Sequence, residues 1–448
     1  MIQRLGLVCS RLSRRFVPEP FVFALLLTLL AFAMAAAYQL QRGSSWHGIG
    51  EVMLFWENGG LWQYLEFAMQ MVLVLLTGHA VAVASPVLKG IRRLASWPRS
   101  PAAAVFLIAW LSMAAGFIHW GLALIVGAHF AKEVAQVFRE RGTPLHYPLC
   151  GAAAYLGLMV WHGGLSGSAP LVMNTPGHFL SDQVALLPVH ETLLSSMNLV
   201  LSFLLLVSLP ILAGFLHPRE AHSVDTTEVP PREDFAVKRS VPLNFSERLE
   251  QSDWLIGLVV VLGFACLWVG GWGRFHLSLN TLNFIFLFLG MALHRTPRNY
   301  FMALADGSRS VSGIILLFPF YAGIYGLLAY DDMIRHLLVN LISNANETVF
   351  VIGTFLSAGL INLMVPSGGG QWGIQGPLVI EGATVLNIPY WKVTMAVAYG
   401  DEWTNMLQPF WALPILQITG LKARDIVGYT ALFMLCALPL YLLALLFF

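Results

Sequence analysis

Stretches of about twenty apolar residues recur along the whole chain, and that length is what an α-helix needs to cross the hydrocarbon core of a bilayer. The composition agrees, because 57% of the 448 residues are hydrophobic and only 11% are charged. A soluble domain carries roughly a quarter charged residues. A soluble enzyme is therefore excluded, and membrane lipid is an expected partner. The formal net charge of +1 gives no field that would attract nucleic acid, so no nucleic-acid partner is expected.

The apolar stretches predict an all-α polytopic membrane protein with about nine transmembrane helices. These spans lie at residues 20–40, 66–88, 147–173, 192–216, 253–272, 277–293, 311–330, 391–416 and 427–447. The first span follows a basic segment, as a signal peptide would, but the eight further spans favour a retained helix. The four cysteines are isolated from one another, which predicts neither a disulfide framework nor a metal site.

Basic residues orient the spans through the positive-inside rule. They predict a cytoplasmic N-terminus, an external loop at 41–65, and cytoplasmic loops at 89–99 and 294–310. With this orientation the C-terminus is periplasmic, and the expected location is a bacterial inner membrane.

Two long apolar runs do not fit simple crossings. Residues 102–131 have basic loops on both sides, which predicts a re-entrant hairpin with its tip near 116–121. Residues 348–380 are interrupted by Val-Pro-Ser-Gly-Gly-Gly, a sequence that a lipid-facing helix would not carry because freed backbone groups would stay unpaired. This run predicts a second hairpin that enters from the opposite face.

The order of elements indicates an inverted repeat, which is typical of secondary transporters. Residues 1–216 form the first half, 217–252 a cytoplasmic linker, and 253–448 a connecting span followed by the second half. Weak identities support the repeat: Tyr155 and Tyr399, for example, lie 244 residues apart. Other pairs share that offset, among them Ala152 and Ala396, Ala154 and Ala398, Pro170 and Pro414, and Thr175 and Thr419.

In each half, the span after the hairpin is interrupted by polar and small residues. The first interruption is Trp-His-Gly-Gly-Leu-Ser-Gly-Ser-Ala-Pro at 161–170, and the second is Gly-Asp-Glu-Trp-Thr-Asn-Met-Leu-Gln-Pro at 400–409. Three glycines in five residues disfavour a helix, so the backbone is expected to unwind there and face a ligand.

The second interruption contains two adjacent carboxylates, Asp401 and Glu402. Each costs about 2.5 to 3.5 kcal/mol at the centre of a membrane helix, so a function is expected for them. Either could carry a coupling proton, and His119 and His162 are further candidates. Alternatively, Asp401, Thr404 and two asparagines (Asn362 and Asn405) could coordinate sodium.

The second hairpin carries the most distinctive string, Asn-Leu-Met-Val-Pro-Ser-Gly-Gly-Gly-Gln-Trp-Gly-Ile-Gln-Gly-Pro at 362–377. A Ser-Gly-Gly-Gly turn between two half-helices directs backbone N–H groups inward, which suits a carboxylate. Ser367, the glycine amides and Gln371 are predicted to hold this anion.

This string, together with the two interruptions, resembles the bacterial short-chain fatty acid transporter family associated with acetoacetate and butyrate. The resemblance covers the whole chain. It implies a secondary carrier of short-chain monocarboxylates and places the chain near the wider ion-transporter superfamily. By that likeness an elevator mechanism and a homodimer are expected, with no cofactor beyond a coupling proton or sodium ion.

We therefore expect proton symport of a short-chain acid, with Trp120, Trp372 and Trp403 closing over its apolar tail. A sodium-coupled carrier of another organic anion is the alternative, and an intramembrane hydrolase or a channel is disfavoured. The candidate substrate-binding residues are His119, Trp120, His162, Ser166, Ser168, Asn362, Ser367, Gly368, Gly369, Gly370, Gln371, Trp372, Trp403, Asn405 and Gln408. The candidate coupling-ion residues are Asp401, Glu402 and Thr404.

Overall fold

All regular structure is helical within the residues that the computed structural model describes, namely 20–42, 46–62, 65–175, 177–178, 180–218, 229–231, 244–269, 279–330, 333, 346–364 and 368–448. The α-helices are Pro20–Gln41, Trp46–Phe55, Leu65–Ala82, Ser85–Ala95, Pro101–Ile118, Trp120–Glu140, Tyr147–Tyr155, Ser168–Met173, Ser196–Leu216, Phe245–Glu250, Asp253–Val269, Leu279–His294, Pro297–Ala329, Glu347–Met364, Gly368–Leu386, Tyr390–Thr404, Pro409–Thr419 and Ala423–Phe447. The predicted all-α polytopic fold is confirmed. Most of the predicted linker, 219–228 and 232–243, lies outside the described residues, and the division into halves stays a prediction.

Six of the described helices are long and apolar enough to cross a membrane, and a seventh is added if the bent pair Ala68–Ala82 and Ser85–Ala95 is one span. Several shorter apolar helices accompany them, such as Asp253–Val269 and Asn280–His294. Each predicted span coincides with one of these helices or with a helix that is broken or extended.

The first predicted hairpin is a pair of packed helices, Pro101–Ile118 and Trp120–Glu140. His119 separates them with an extended backbone, φ −161° and ψ 121°. Its ring Nδ1 accepts the N–H groups of Gly121 and Leu122 at 3.1 and 3.3 Å, which caps the second helix. The break therefore lies inside the predicted tip at 116–121.

The second predicted hairpin is the pair Glu347–Met364 and Gly368–Leu386, and residues 365–367 between them lie outside the described part. Buried amide side chains join the two helices. Gln371 Nε2 donates to the carbonyl of Ala358 at 2.9 Å, and Gln375 Nε2 donates to Ser357 Oγ at 3.0 Å. These bonds fix the register of the pair inside an apolar core.

Both spans that follow the hairpins are broken, as their sequences predict. The first runs as Tyr147–Tyr155, a 3₁₀ turn Leu156–Met159, an irregular segment, and Ser168–Met173. The second runs as Tyr390–Thr404, a 3₁₀ turn Asn405–Leu407, and Pro409–Thr419. Proline lies in the first turn of three of these helices, at Pro148, Pro170 and Pro409. Its missing N–H removes no hydrogen bond there, because the first N–H groups of a helix have no intrahelical acceptor. A hairpin, a broken span and a long helix thus follow one another twice.

Three predicted loops are helical instead. The loop at 41–65 contains the helix Trp46–Phe55. Most of the loop at 89–99 belongs to the helix Ser85–Ala95. Buried Leu88, Ile91 and Ala95 share one face of this helix, and the basic residues lie opposite. The loop at 294–310 is the first half of a helix, Pro297–Ala329.

The physical reasons for these corrections are local. Basic residues at amphipathic spacing are compatible with an interfacial helix as well as with a loop. The Thr296 hydroxyl accepts the N–H of Asn299 at 3.2 Å and caps the long helix one residue before Pro297. Charge density marks which side of a membrane a segment prefers, but it does not exclude a helix.

Gly116 tests the packing of the first hairpin on the first broken span. A Cβ there would overlap the carbonyl oxygen of Gly157 in the 3₁₀ turn. Overpacking of this kind costs about 1–3 kcal/mol, so Gly116→Ala is expected to lower the thermal melting temperature of the purified protein. In Gly90→Ala the new Cβ meets nothing within 4 Å, so this control should be neutral or slightly stabilising, since alanine favours a helix. An equal effect of both variants would contradict the packing argument.

Candidate functional site

The two broken spans lie side by side and satisfy each other's backbone. The hydroxyl of Tyr155, on the first span, lies 2.9 Å from the carbonyl oxygen of Asn405 and 2.8 Å from that of Gln408. These carbonyls belong to the break of the second span. Since a buried carbonyl without a donor is costly, Tyr155 holds the second break in place.

Asn198 provides the corresponding support for the first break. It lies on the helix Ser196–Leu216, and its Nδ2 donates to the carbonyl of Gly163 at 2.7 Å and to that of Leu193 at 2.6 Å. The hydroxyl of Tyr399, on the second broken span, donates to Asn198 Oδ1 at 3.0 Å. Tyr155 and Tyr399, the pair that suggested the repeat, therefore both bond to residues more than 200 positions away in the sequence.

Asp401 contacts the first break through His162. The ring Nδ1 of His162 lies 2.7 Å from Asp401 Oδ2, and both side chains are at most 1% exposed. The His162 Nε2 accepts the backbone N–H of Ala169 at 3.0 Å. Both ring nitrogens are thus engaged, and the imidazole is fixed between the two breaks.

Glu402, which carries the second carboxyl group, binds backbone N–H groups of the same break. Its Oε2 accepts the N–H of His162 at 2.8 Å and that of Gly163 at 3.3 Å. Its Oε1 lies 3.1 Å from the hydroxyl of Tyr441 on the last helix. Adjacent residues on a helix point in different directions, and here each carboxyl group meets different partners.

A second polar cluster surrounds Asn362 of the second hairpin. Its Nδ2 lies within hydrogen-bonding distance of three oxygens: the carbonyl of Asp401 at 2.7 Å, Thr404 Oγ1 at 2.9 Å, and Asn405 Oδ1 at 3.0 Å. Gln408 Nε2 also donates to the Asn362 carbonyl at 2.5 Å. These bonds attach the second hairpin to the second break.

A small, partly open pocket lies where the second hairpin and both breaks meet. Its lining combines aromatic and polar groups: Trp120, Leu158, Trp161, Ser168, Gly368, Asn405 and Trp411. The ring of Trp120 packs edge-to-face against Trp411, with centroids 4.9 Å apart. Such an apolar pocket with few polar groups is typical of a small-molecule site.

Some of the unsatisfied buried polar atoms lie at or near this cavity, and two of them, Trp161 Nε1 and Asn405 Nδ2, belong to lining residues. Among the described residues, seven such atoms without a hydrogen-bond partner belong to the two breaks and the second hairpin: Trp161 Nε1, Asn362 Oδ1, Gln371 Oε1, Trp372 Nε1, Asp401 Oδ1, Asn405 Nδ2 and Gln408 Oε1. Native structures satisfy most buried polar groups. The two unpaired donors of the lining residues, Trp161 Nε1 and Asn405 Nδ2, are available to a ligand.

Several predicted substrate-binding residues lie at this cavity or beside it. Trp120, Ser168, Gly368 and Asn405 line it. His162 adjoins it, because a Cβ on Gly368 would come 2.8 Å from the rings of both His162 and Trp161. Asn362, Gln371 and Gln408 are buried in the polar clusters behind it. Gly369 and Gly370 are half-buried in the same hairpin helix, and Ser367 lies outside the described residues.

Other predicted residues make structural contacts away from the cavity lining. His119 caps the first hairpin, and Ser166 Oγ accepts the N–H of Trp120 at 3.1 Å. Trp403 Nε1 donates to the carbonyl of Met434 at 2.8 Å, and its ring packs on Phe355. Trp372 is fully buried. Sequence alone did not distinguish these residues from those that line a pocket.

The prediction omitted three lining residues: Leu158, Trp161 and Trp411. Trp161 stands inside the first interruption, and Trp411 follows the second, so their closeness to the breaks was a usable signal. Leu158 lies in an apolar run and carried no such signal. Tyr155 and Tyr441, which support the breaks, were also not selected as site residues.

A sequence profile described as "Short chain fatty acid transporter" matches residues 1–448. The chain belongs to this family. A relative from Escherichia coli (strain K12) is 40% identical over 433 residues, covering 96% of each chain. One from Haemophilus influenzae is 36% identical over 457 residues, covering 100% of each. Both are named "Putative short-chain fatty acid transporter", so the expectation of a transporter and not an enzyme is confirmed.

Two solved transporter structures are more distantly similar. The YdaH transporter of Alcanivorax borkumensis is 14% identical with a TM-score of 0.47, covering 96% of this chain and 97% of that one. MtrF of Neisseria gonorrhoeae is 14% identical with a TM-score of 0.45, covering 97% and 96%. At this distance the likeness does not extend to individual site residues.

Tyr155→Phe tests the bond between the two broken spans. Removing the hydroxyl leaves the carbonyls of Asn405 and Gln408 without this donor, which costs about 1–3 kcal/mol for a buried group. A lower melting temperature and slower transport are expected. Tyr390→Phe is the control, since its hydroxyl bonds Thr384 at an exposed position. The bridge would be unimportant if both variants melted like wild type.

Proposed function

We propose that this transporter carries short-chain monocarboxylates across a bacterial inner membrane by proton symport. The cavity at the two breaks is the observation that carries this proposal. Three of its lining residues are tryptophans, and two buried hydrogen-bond donors, Asn405 Nδ2 and Trp161 Nε1, have no acceptor among the described residues. An acid with a short apolar chain supplies acceptors for such donors and a tail for such walls.

The polar part of the cavity suits a carboxylate. A carboxylate only accepts hydrogen bonds, and both Asn405 Nδ2 and Trp161 Nε1 only donate them. Ser168 contributes a hydroxyl, and Gly368 begins the helix Gly368–Leu386, where the first N–H groups lack intrahelical acceptors. Since none of the lining side chains is cationic, the anion would be held by neutral donors and could be released again.

The apolar part of the cavity suits a short chain. Trp120, Trp411 and Leu158 are each less than 9% exposed and face the same cavity. Each methylene buried against such walls contributes about 0.8 kcal/mol. The limited room between these side chains would disfavour long fatty acids.

Coupling to a proton is proposed at Asp401 in the second break. Asp401 is buried and has an unpaired oxygen, Oδ1, so a cation is needed to neutralise it. A proton is the smallest cation that fits in a packed interior. By the family resemblance, we further propose an elevator motion, a homodimer, a cytoplasmic N-terminus and a periplasmic C-terminus.

Sodium coupling is the second candidate, and one observation favours it. Three oxygens, from Asp401, Thr404 and Asn405, lie within 3.0 Å of Asn362 Nδ2, which has only two hydrogens to donate. A hard cation prefers oxygen ligands of this type. Sodium in place of a proton would then drive uptake of an organic anion.

Uptake into proteoliposomes separates these candidates. With labelled butyrate or acetoacetate, an imposed proton gradient is expected to drive saturable accumulation, and a sodium gradient alone is not. Accumulation driven only by sodium would contradict proton symport and move the coupling site to the oxygens around Asn362. Uptake without saturation or counterflow would indicate a channel. Absence of uptake of either acid would remove the proposed substrate.

Leu158→Ala tests the cavity wall. The smaller side chain makes room for additional methylenes, so preference is expected to shift toward longer acids by about fourfold per methylene accommodated. Competition of labelled butyrate uptake by unlabelled straight-chain acids, from butyrate to octanoate, measures this shift. Leu156→Ala is the matched control, because Leu156 is fully buried in the same 3₁₀ turn but does not line the cavity. Equal selectivity in both variants would argue against this wall.

A further inference from the structure

We propose that the two adjacent carboxyl groups have different charges and different roles. Glu402 is a permanently protonated, neutral acid that positions the first break, and Asp401, oriented by His162, is the group that accepts the coupling proton. The coupling role of Asp401 rests on the proposed function. The assignment of the protons rests on the hydrogen bonds alone.

The hydrogen bonds of Tyr441 determine the state of Glu402. The Tyr441 hydroxyl lies 2.7 Å from the carbonyl oxygen of Met159 and 3.1 Å from Glu402 Oε1. A phenol has one hydrogen, and a carbonyl oxygen can only accept. Two oxygens at 2.7 Å without a hydrogen between them would repel, so Tyr441 donates to Met159. A hydrogen on Glu402 Oε1, donated to the Tyr441 oxygen, then pairs the remaining contact as well.

The contacts of Oε2, the other oxygen of Glu402, are consistent with a proton on Oε1. Oε2 accepts two backbone N–H groups, from His162 and Gly163. A protonated carboxyl group has one donor oxygen and one carbonyl oxygen that accepts. With the proton on Oε1, each oxygen has partners of the correct type, and no uncompensated charge is buried. Glu402 then holds the chain of the first break as a neutral group.

Backbone geometry similarly determines the state of His162. The N–H of Ala169 is a donor whatever the protonation of the ring, and it points to His162 Nε2 at 3.0 Å. Nε2 therefore carries no hydrogen, and the neutral ring carries its hydrogen on Nδ1. Nδ1 donates to Asp401 Oδ2 at 2.7 Å. A second ring proton would displace the bond to Ala169, so His162 orients Asp401 but does not itself take the proton.

Asp401 is the group left able to change its charge. Oδ2 accepts from His162, while Oδ1 is buried and has no partner among the described residues. Oδ1 therefore has lone pairs free to take a proton, whereas both oxygens of Glu402 are engaged. Binding of one proton forms the Oδ1–H bond and neutralises the side chain, and its release restores the carboxylate.

The surrounding groups support this division. The titratable side chains that bond the pair are His162 from the first break and Tyr441 from the last helix, and Tyr399 lies on the same helix as the pair. No lysine or arginine forms an ion pair with either carboxyl group among the described residues. Two carboxylates with no cation close by would repel in a medium of low dielectric constant, and a neutral Glu402 removes that repulsion.

Matched amide substitutions test the assignment in proteoliposomes with an imposed proton gradient. In Glu402→Gln the amide carbonyl accepts from the two backbone N–H groups and the NH₂ group donates to Tyr441. Accumulation is expected to stay within about threefold of wild type, since one neutral hydrogen bond replaces another. Asp401→Asn cannot bind or release the proton, so accumulation should fall at least about tenfold while exchange of labelled for unlabelled substrate continues.

The opposite pattern would overturn the assignment. Loss of gradient-driven accumulation in Glu402→Gln, or its retention in Asp401→Asn, would each show that the proton is carried elsewhere. The exchange assay shows that a variant is folded and binds substrate, which a merely structural defect would abolish.

An infrared measurement tests the proton on Glu402 independently of transport. The carbonyl stretch of a protonated carboxyl group should be present in purified wild type at neutral pH and lost in Glu402→Gln. Its absence in wild type would overturn the assignment even if Asp401→Asn failed to fold. Should wild type accumulate neither acid under any gradient, the proposed function would fail, and the infrared result would still decide the state of Glu402.

Discussion

Every backbone group freed by a helix break needs a partner, because an apolar core contains little water to replace it. Here that constraint is met across the two halves of the chain. Tyr155 bonds the carbonyls of the second break, and Glu402 accepts the N–H groups of the first. Asn198 bonds the Gly163 carbonyl and is itself bonded by Tyr399. Each break therefore draws part of its support from the other.

The same constraint shapes the cavity. After the breaks have satisfied one another, neutral donors such as Asn405 Nδ2 and Trp161 Nε1 are left facing a pocket walled by indole rings. Neutral donors can hold a carboxylate without burying a fixed positive charge, which would be costly in the empty state. The buried acid at Asp401 stands beside this pocket and is linked to it through His162 and Trp161, whose rings stack 4.4 Å apart. Substrate and coupling ion would therefore act on neighbouring groups.

Much of the fold is predictable from sequence because membrane helices obey simple rules. The length of the apolar runs predicted the spans, and glycine and proline at 161–170 and 400–409 predicted the breaks. The loops predicted from charge at 89–99 and 294–310 were wrong, because these residues belong largely to the helices Ser85–Ala95 and Pro297–Ala329. Basic residues are compatible with a helix as well as with a coil. In the sequence, the buried face of Ser85–Ala95 shows only in the helical spacing of its apolar residues.

The sequence by itself determined the helical class, the helix pairs at the two predicted hairpins, the two breaks and the family, since each depends on local composition and on motifs that are continuous along the chain. Only the tertiary structure decided which side chains meet. Trp411 and Leu158 line the cavity whereas Trp403 bonds Met434, and Asp401 and Glu402 have different partners although they are neighbours. Contacts between residues about 240 positions apart, such as His162 with Asp401, arise from packing of the two halves and have no local signature.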